Sequence, residues 1–118
     1  MFRSILVGTD GSSTAAAAVD EAIALAANAG ARLLIVSAYE PVSGLRLREE
    51  REALPEDTQW MVNPREDVLA LLDKGRAAAT DRGVSAVETF ARQGDAADAI
   101  IDISEEQGCD LIVVGTAA

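Results

Sequence analysis

Apolar positions along the chain fall into short runs separated by longer periodic stretches. Ser4 to Val7 is an aliphatic run closed by Gly8, the pattern of a buried strand. After it, Val19, Ala22, Ile23 and Ala26 recur at i, i+3, i+4 and i+7. That spacing predicts a helix with one apolar face, and it leaves Asp20 and Glu21 pointing elsewhere. Ser12 or Ser13 is the N-cap, because a hydroxyl there accepts a free N–H of the first turn. Gly30 is the left-handed C-cap. The run "RLLIVSA", Arg32 to Ala38, is apolar on both faces through its middle, as strands inside a helix-covered parallel sheet are.

From Tyr39 to Asn63 the periodicity lapses. This segment holds the charge-dense "RLREEREALPED" and the lone Trp60. It reads either as a variable surface excursion or as a lid or partner surface, since connections this long are often functional. Pro64 suits the first turn of a second helix. That helix runs to about Arg82, with Val68, Leu71, Leu72 and Ala79 inward and Gly83 at its end. "SAVETFA" is a third strand, alternating at Val87, Thr89 and Ala91, and "RQGD", Arg92 to Asp95, is a turn. Ala96, Ala99, Ile100 and Ile103 then repeat at helical spacing up to Gly108. "CDLIVVG", Cys109 to Gly115, is a fourth strand. The order β-α-β-α-β-α-β with right-handed crossovers predicts a doubly wound parallel sheet. A further helix and strand are expected after Gly115, so the sequence reads as cut short.

Composition narrows the function classes. A chain of 118 residues predicts one domain, residues 1–118. Ten Lys+Arg against twenty Asp+Glu give a formal charge of −10, which argues against a nucleic-acid partner. One cysteine, Cys109, and no histidine exclude a disulfide framework, a Cys/His zinc site and histidine-based catalysis. No apolar run approaches membrane-spanning length, and no membrane partner is expected. A cytoplasmic setting is the default expectation.

Open α/β sheets bind ligands beyond the carboxyl ends of their strands, where strand order reverses. Here those ends are "GTDGS" and "GTAA". Gly8, Gly11 and Gly115 keep this rim low, so that a flat ligand can reach the backbone, or else they only make tight turns. The first helix adds free N–H groups and a positive dipole end. Asp10 has two readings: it caps N–H groups at the helix entry, or it accepts hydrogen bonds from a ligand amine or hydroxyl or helps hold a divalent metal. "GTDGSS" lacks the Gly-Lys-[Ser/Thr] ending of a P-loop, and the one lysine, Lys74, sits mid-helix. Asp95 reads as an N-cap, and Cys109 as a buried small hydrophobe.

Four segments, "ILVGTDGS", "LLIVSAYEP", "RQGDAADAI" and "CDLIVVGT", stand in an order that resembles the universal stress proteins, over nearly the whole chain. The resemblance implies a Rossmann-like fold of the adenine-nucleotide α-hydrolase type with strand order 3-2-1-4-5, here 3-2-1-4 with the fifth strand missing. It also implies a homodimer formed through the last strand. For the ATP-binding branch it implies that Asp10 meets the adenine, with Thr9 and Gly8 beside it. Ala38 packs on the base and Val114 lines its pocket. Gly115 opens a Gly-x2-Gly-x9-Gly-[Ser/Thr] loop that cradles ribose and phosphates.

The second glycine of that loop falls at Ala118 and the remainder is missing. ATP, with or without Mg2+, is thus the expected cofactor, with affinity weakened or lost in the chain as written. The expected function is nucleotide-linked stress signalling, with at most slow ATP hydrolysis or self-phosphorylation and no catalytic residue assigned. The alternative is an interaction module without nucleotide, acting through dimerisation and residues 39–63. An enzyme of the wider α-hydrolase group is a more distant rival that would need a catalytic or phosphate-binding motif.

Overall fold

A computed structural model describes residues 2–39 and 65–115. Its elements are β1 (Ser4–Gly8), α1 (Ser13–Ala29), β2 (Arg32–Tyr39), α2 (Arg65–Asp81), β3 (Val87–Gln93), α3 (Ala96–Gln107) and β4 (Leu111–Val113). All strand pairs are parallel and the four-stranded order is β3-β2-β1-β4, as the sequence predicts. Residues 40–64, which hold the charge-dense segment, Trp60 and Pro64, lie outside the described residues, as does Ala118.

Strand alternation divides the core between the two faces of the sheet. Ile5 and Val7 of β1 and Leu33 and Ile35 of β2 pack with Ala22, Ile23 and Ala26 of α1 and Val68 and Leu72 of α2. Leu6, Leu34 and Val36 face the other way, against Ala99 and Ile103 of α3. Each fully buried Ile, Leu or Val contributes about 1.5–3 kcal/mol. Gly75, inside α2, has a packing reason: a Cβ there would stand 3.0 Å from Ile35 Cδ1. The cost of a mid-helix glycine, about 1 kcal/mol against alanine, is offset by room for that isoleucine.

The helix ends follow the sequence. Ser12, rather than Ser13, caps α1, its side chain accepting from the Ala15 N–H. Asp95 caps α3 by accepting from Asp98 N–H. Gly30 and Gly108 close the two helices with φ of 65° and 63°, a conformation that costs glycine least.

Two boundaries differ from the sequence reading. β3 runs on through Arg92 and Gln93, which pair with Ala38 and Tyr39, so the turn is confined to Gly94 and Asp95. β4 is only Leu111–Val113. Cys109 and Asp110 precede it, and Asp110 instead ties the chain start: its carboxylate accepts from Arg3 N–H at 2.6 Å and Ser4 N–H at 3.3 Å.

In this topology β1 and β4 straddle the point where strand order reverses. The crevice expected beyond the carboxyl ends of an open parallel sheet therefore opens above Gly8 and Val113.

Candidate functional site

The site begins where β1 stops. Past Gly8 the chain remains tied to β2: Thr9 N–H donates to Val36 O at 3.0 Å. The Ser37 hydroxyl, 2% exposed, donates to Thr9 O at 2.6 Å. The next residues hold themselves in a turn. Asp10 Oδ1 accepts from Ser12 N–H at 2.9 Å, and Gly11 N–H donates to Thr9 Oγ1 at 3.3 Å. Partial burial pushes the Asp10 carboxyl up, but hydrogen bonds from the Ser12 side chain and backbone, with a smaller one from its own backbone, outweigh that. Its net displacement is below the ordinary carboxylate value, so Asp10 is an anion at neutral pH.

β2 outlasts β1, and this leaves a peptide edge at the rim. In a parallel ladder one residue's N–H and C=O point to the same neighbour, and successive residues alternate sides. Val36 O accepts from Thr9 and so faces β1, whereas Tyr39 O accepts from Gly94 N–H and so faces β3. Ala38, two residues beyond Val36, therefore turns its N–H and C=O to the β1 side, past the end of β1. Its side chain packs with the α3-side core.

The other walls come from β4 and the helix starts. Gly115 lies against the first turn of α1, so closely that a Cβ there would stand 2.6 Å from Thr14 O. On the α3 side the wall is Ala96, Ala97, Ala99 and Ile100. Together these elements enclose a cleft of about 280 Å³. Asp10 is the one charged side chain among the described residues that line it.

Comparison with known proteins identifies the frame in which this cleft sits. The sequence matches the model of the universal stress protein family over residues 1–118. The universal stress protein Rv1636 of Mycobacterium tuberculosis is 33% identical over 115 residues, covering 97% of this chain and 75% of that protein. The chain belongs to the universal stress protein family. A family member from Burkholderia pseudomallei superposes with a TM-score of 0.73 at 32% identity, covering 96% of this chain and 80% of the other. A universal stress protein solved in complex with cAMP superposes with a TM-score of 0.70 at 27% identity, over 96% of this chain and 75% of that one.

Within this universal stress protein fold, the six residues that the resemblance places around a nucleotide reach the same place, whereas the rim glycine Gly11 lies outside it, where a Cβ would meet Leu71 of α2. Gly8, Thr9, Asp10, Ala38, Val114 and Gly115 come from three strand ends and all line the cleft. Asp95 does not: it caps α3. Cys109 lies away from the cleft and packs against the α3-side core. Burial pushes its thiol up, against the pull of Arg32, so the thiolate is disfavoured. Among the described residues no three acidic, His or Cys groups cluster as metal ligands.

The sequence reading missed Ser37 and the α3 wall. Ser37 carried a signal: a serine inside an apolar buried strand needs a partner. Ile100 was visible as an inward position of its helix. That it stands at the cleft end of that helix follows only from the assembled fold.

Proposed function

We propose that the cleft holds the adenine and ribose of a nucleotide, and that residues 1–118 act as one ligand-responsive domain in stress signalling rather than as a turnover enzyme. The peptide edge of Ala38 carries this reading. Its N–H suits the acceptor N1 of adenine and its C=O suits the 6-amino group, whereas guanine presents a donor at N1 and an acceptor at O6 and mismatches both. Val114 and the α3 alanines supply apolar flanks for a planar base. The Asp10 carboxylate has about four acceptor sites, so it can serve its turn and also accept from a ligand amine or hydroxyl. The cAMP complex of a relative 27% identical to this chain supports an adenine ligand.

The lining supports binding over chemistry, because Asp10, its one charged side chain among the described residues, is already engaged in a turn. The cleft volume, near the lower end of the roughly 300–1,000 Å³ usual for ligand pockets, suits a base and ribose better than a triphosphate. ATP is the fullest form of the ligand in this reading, and a homodimer the working state.

Calorimetric titration with adenosine, AMP, cAMP, ATP and GMP tests the proposal. Adenine ligands should bind and GMP should bind at least about tenfold more weakly. Asp10→Asn, which keeps an acceptor for the Ser12 turn, should weaken adenine binding while leaving the fold intact. Equal affinity for AMP and GMP would remove the role given to Ala38. No binding of any adenine ligand by folded protein would favour the interaction module.

A further inference from the structure

We infer that Ile100 and Gly8 form an interlocked pair that sets the size of base the cleft admits. The inference rests on the adenine-nucleotide reading above and adds a residue that determines its specificity. Ile100 is the one large side chain on a wall otherwise made by Ala96, Ala97 and Ala99. It sits on the bare Cα of Gly8: a Cβ on Gly8 would stand 2.7 Å from Ile100 Cδ1 and 3.2 Å from Cγ1. Those distances are below ordinary van der Waals contact, so the absence of a side chain at residue 8 is what lets Ile100 occupy its position.

The position is also stiff. A β-branched side chain in a helix is held mostly in one χ1 rotamer. The helix is anchored by the Asp95 cap and by Ala99 and Ile103 in the core beneath the sheet. With χ1 held, only the Cδ1 end of Ile100 can turn, so most of its bulk stays at the cleft wall.

The two residues should then act in opposite directions on one volume. Ile100→Ala removes three carbons and opens the wall. Gly8→Ala places a methyl group 2.7 Å from Cδ1, so the end of Ile100 must shift, and the expected shift is toward the open cleft. In the double variant the new methyl occupies part of the space that the isoleucine vacated.

The test is calorimetric affinity of the full chain and these variants for AMP and for AMP analogues enlarged by a small alkyl group at N6, C2 or C8. Wild type should prefer AMP to every analogue. Ile100→Ala should shift the ratio toward at least one analogue by about tenfold or more. Gly8→Ala should weaken AMP by about tenfold, and the double variant should recover most of that loss, the non-additivity expected of residues in contact. An unchanged ratio in Ile100→Ala, or a double variant as weak as the two single effects combined, overturns the size gate while leaving the adenine reading in place. Absence of AMP binding to folded wild type overturns both. If Ile100→Ala does not fold by circular dichroism, Ile100→Val carries the test: a smaller shift of the same sign supports the gate, and no shift overturns it.

Discussion

The Ser37 hydroxyl donates to the carbonyl oxygen of Thr9 across 2.6 Å, from a side chain 2% exposed to solvent. It is the single polar side chain in the buried run Leu33 to Ser37 of β2. It ties the last stretch of β2 to the turn that presents Asp10. Removing the hydroxyl leaves the Thr9 carbonyl without that donor at a partly buried place. Ser37→Ala should therefore cost about 1–3 kcal/mol, seen in urea unfolding as a lower midpoint with an unchanged m-value. Ligand affinity should fall as well, because the loop that carries Asp10 loses its tether. Stability equal to wild type would mean that the loop is held by the backbone bond to Val36 alone.

At the opposite end of the sheet one guanidinium joins four elements. Arg32 donates through Nε to Ser4 Oγ at 3.0 Å, through Nη1 to Glu88 at 3.1 Å, and through Nη2 to the Gln107 carbonyl at 2.8 Å. The Gln107 carbonyl lies in the last turn of α3, where a cation is favoured. The ion pair with Glu88 is half-exposed, and such pairs contribute at most about 1 kcal/mol. Glu88→Gln should therefore be nearly silent in thermal unfolding. Arg32→Ala should cost more, about 1–2 kcal/mol, because the Ser4 hydroxyl and the helix carbonyl both lose their donor. Equal losses in the two variants would make the ion pair the source. Neither change should alter ligand binding, since the clasp is a full strand length from the cleft.

Acid should weaken the fold through identified carboxylates. The Arg3 backbone N–H, with a smaller contribution from Ser4, holds Asp110 below its ordinary value of 3.8, against slight desolvation. Asp10 is also lowered, its partial burial outweighed by Ser12. For each, the unfolded chain takes up a proton at higher pH than the native state does. Stability therefore rises with pH across this window. The contribution is fully present above the ordinary value and is lost as pH falls through the native one. Wild type should lose stability more steeply between pH 5 and pH 3 than Asp110→Asn or Asp10→Asn does, measured by urea unfolding at the two pH values. Parallel pH profiles would show that neither carboxylate senses folding.

The sheet order and the rim of the cleft were legible in the sequence because both rest on local signals. Aliphatic runs mark the strands, and Gly8 and Gly115 line the cleft, whereas a Cβ on Gly11 would meet Leu71 of α2 at 3.6 Å, outside that lining. The sequence places Arg92 and Gln93 in a turn, yet they extend β3 by pairing with Ala38 and Tyr39. Hydropathy marks burial, and a strand at the sheet edge can continue without it. The run Cys109–Gly115 erred the other way. It is mostly apolar, but β4 pairs with β1 only as far as Val7 and Val113, and Val114 is 55% exposed. Local signals mark Ile100 as an inward position and Ser37 as a buried hydroxyl in need of a partner, but not their partners Gly8 and Thr9, which are far away in the chain.

Gly115 offers the sharpest separation of site from scaffold. A Cβ there would stand 2.6 Å from Thr14 O and 3.0 Å from its carbonyl carbon. Both atoms belong to the backbone of α1, which cannot rotate aside. Gly115→Ala must therefore push residue 115 away from the helix and open that wall of the cleft. Such overpacking costs about 1–3 kcal/mol where the segment cannot move, and less where it can. Gly30→Ala is the matched control. Its φ of +65° makes alanine unfavourable, but nothing lies within 4 Å of the added methyl, and residue 30 ends α1 far from the cleft. Gly30→Ala should lose about 1 kcal/mol with AMP affinity retained. Gly115→Ala should lose AMP affinity by about tenfold or more whatever its melting temperature. If both variants bind as wild type does, the residue 115 backbone is not part of the binding surface, and the cleft is defined by β1, β2 and α3 alone.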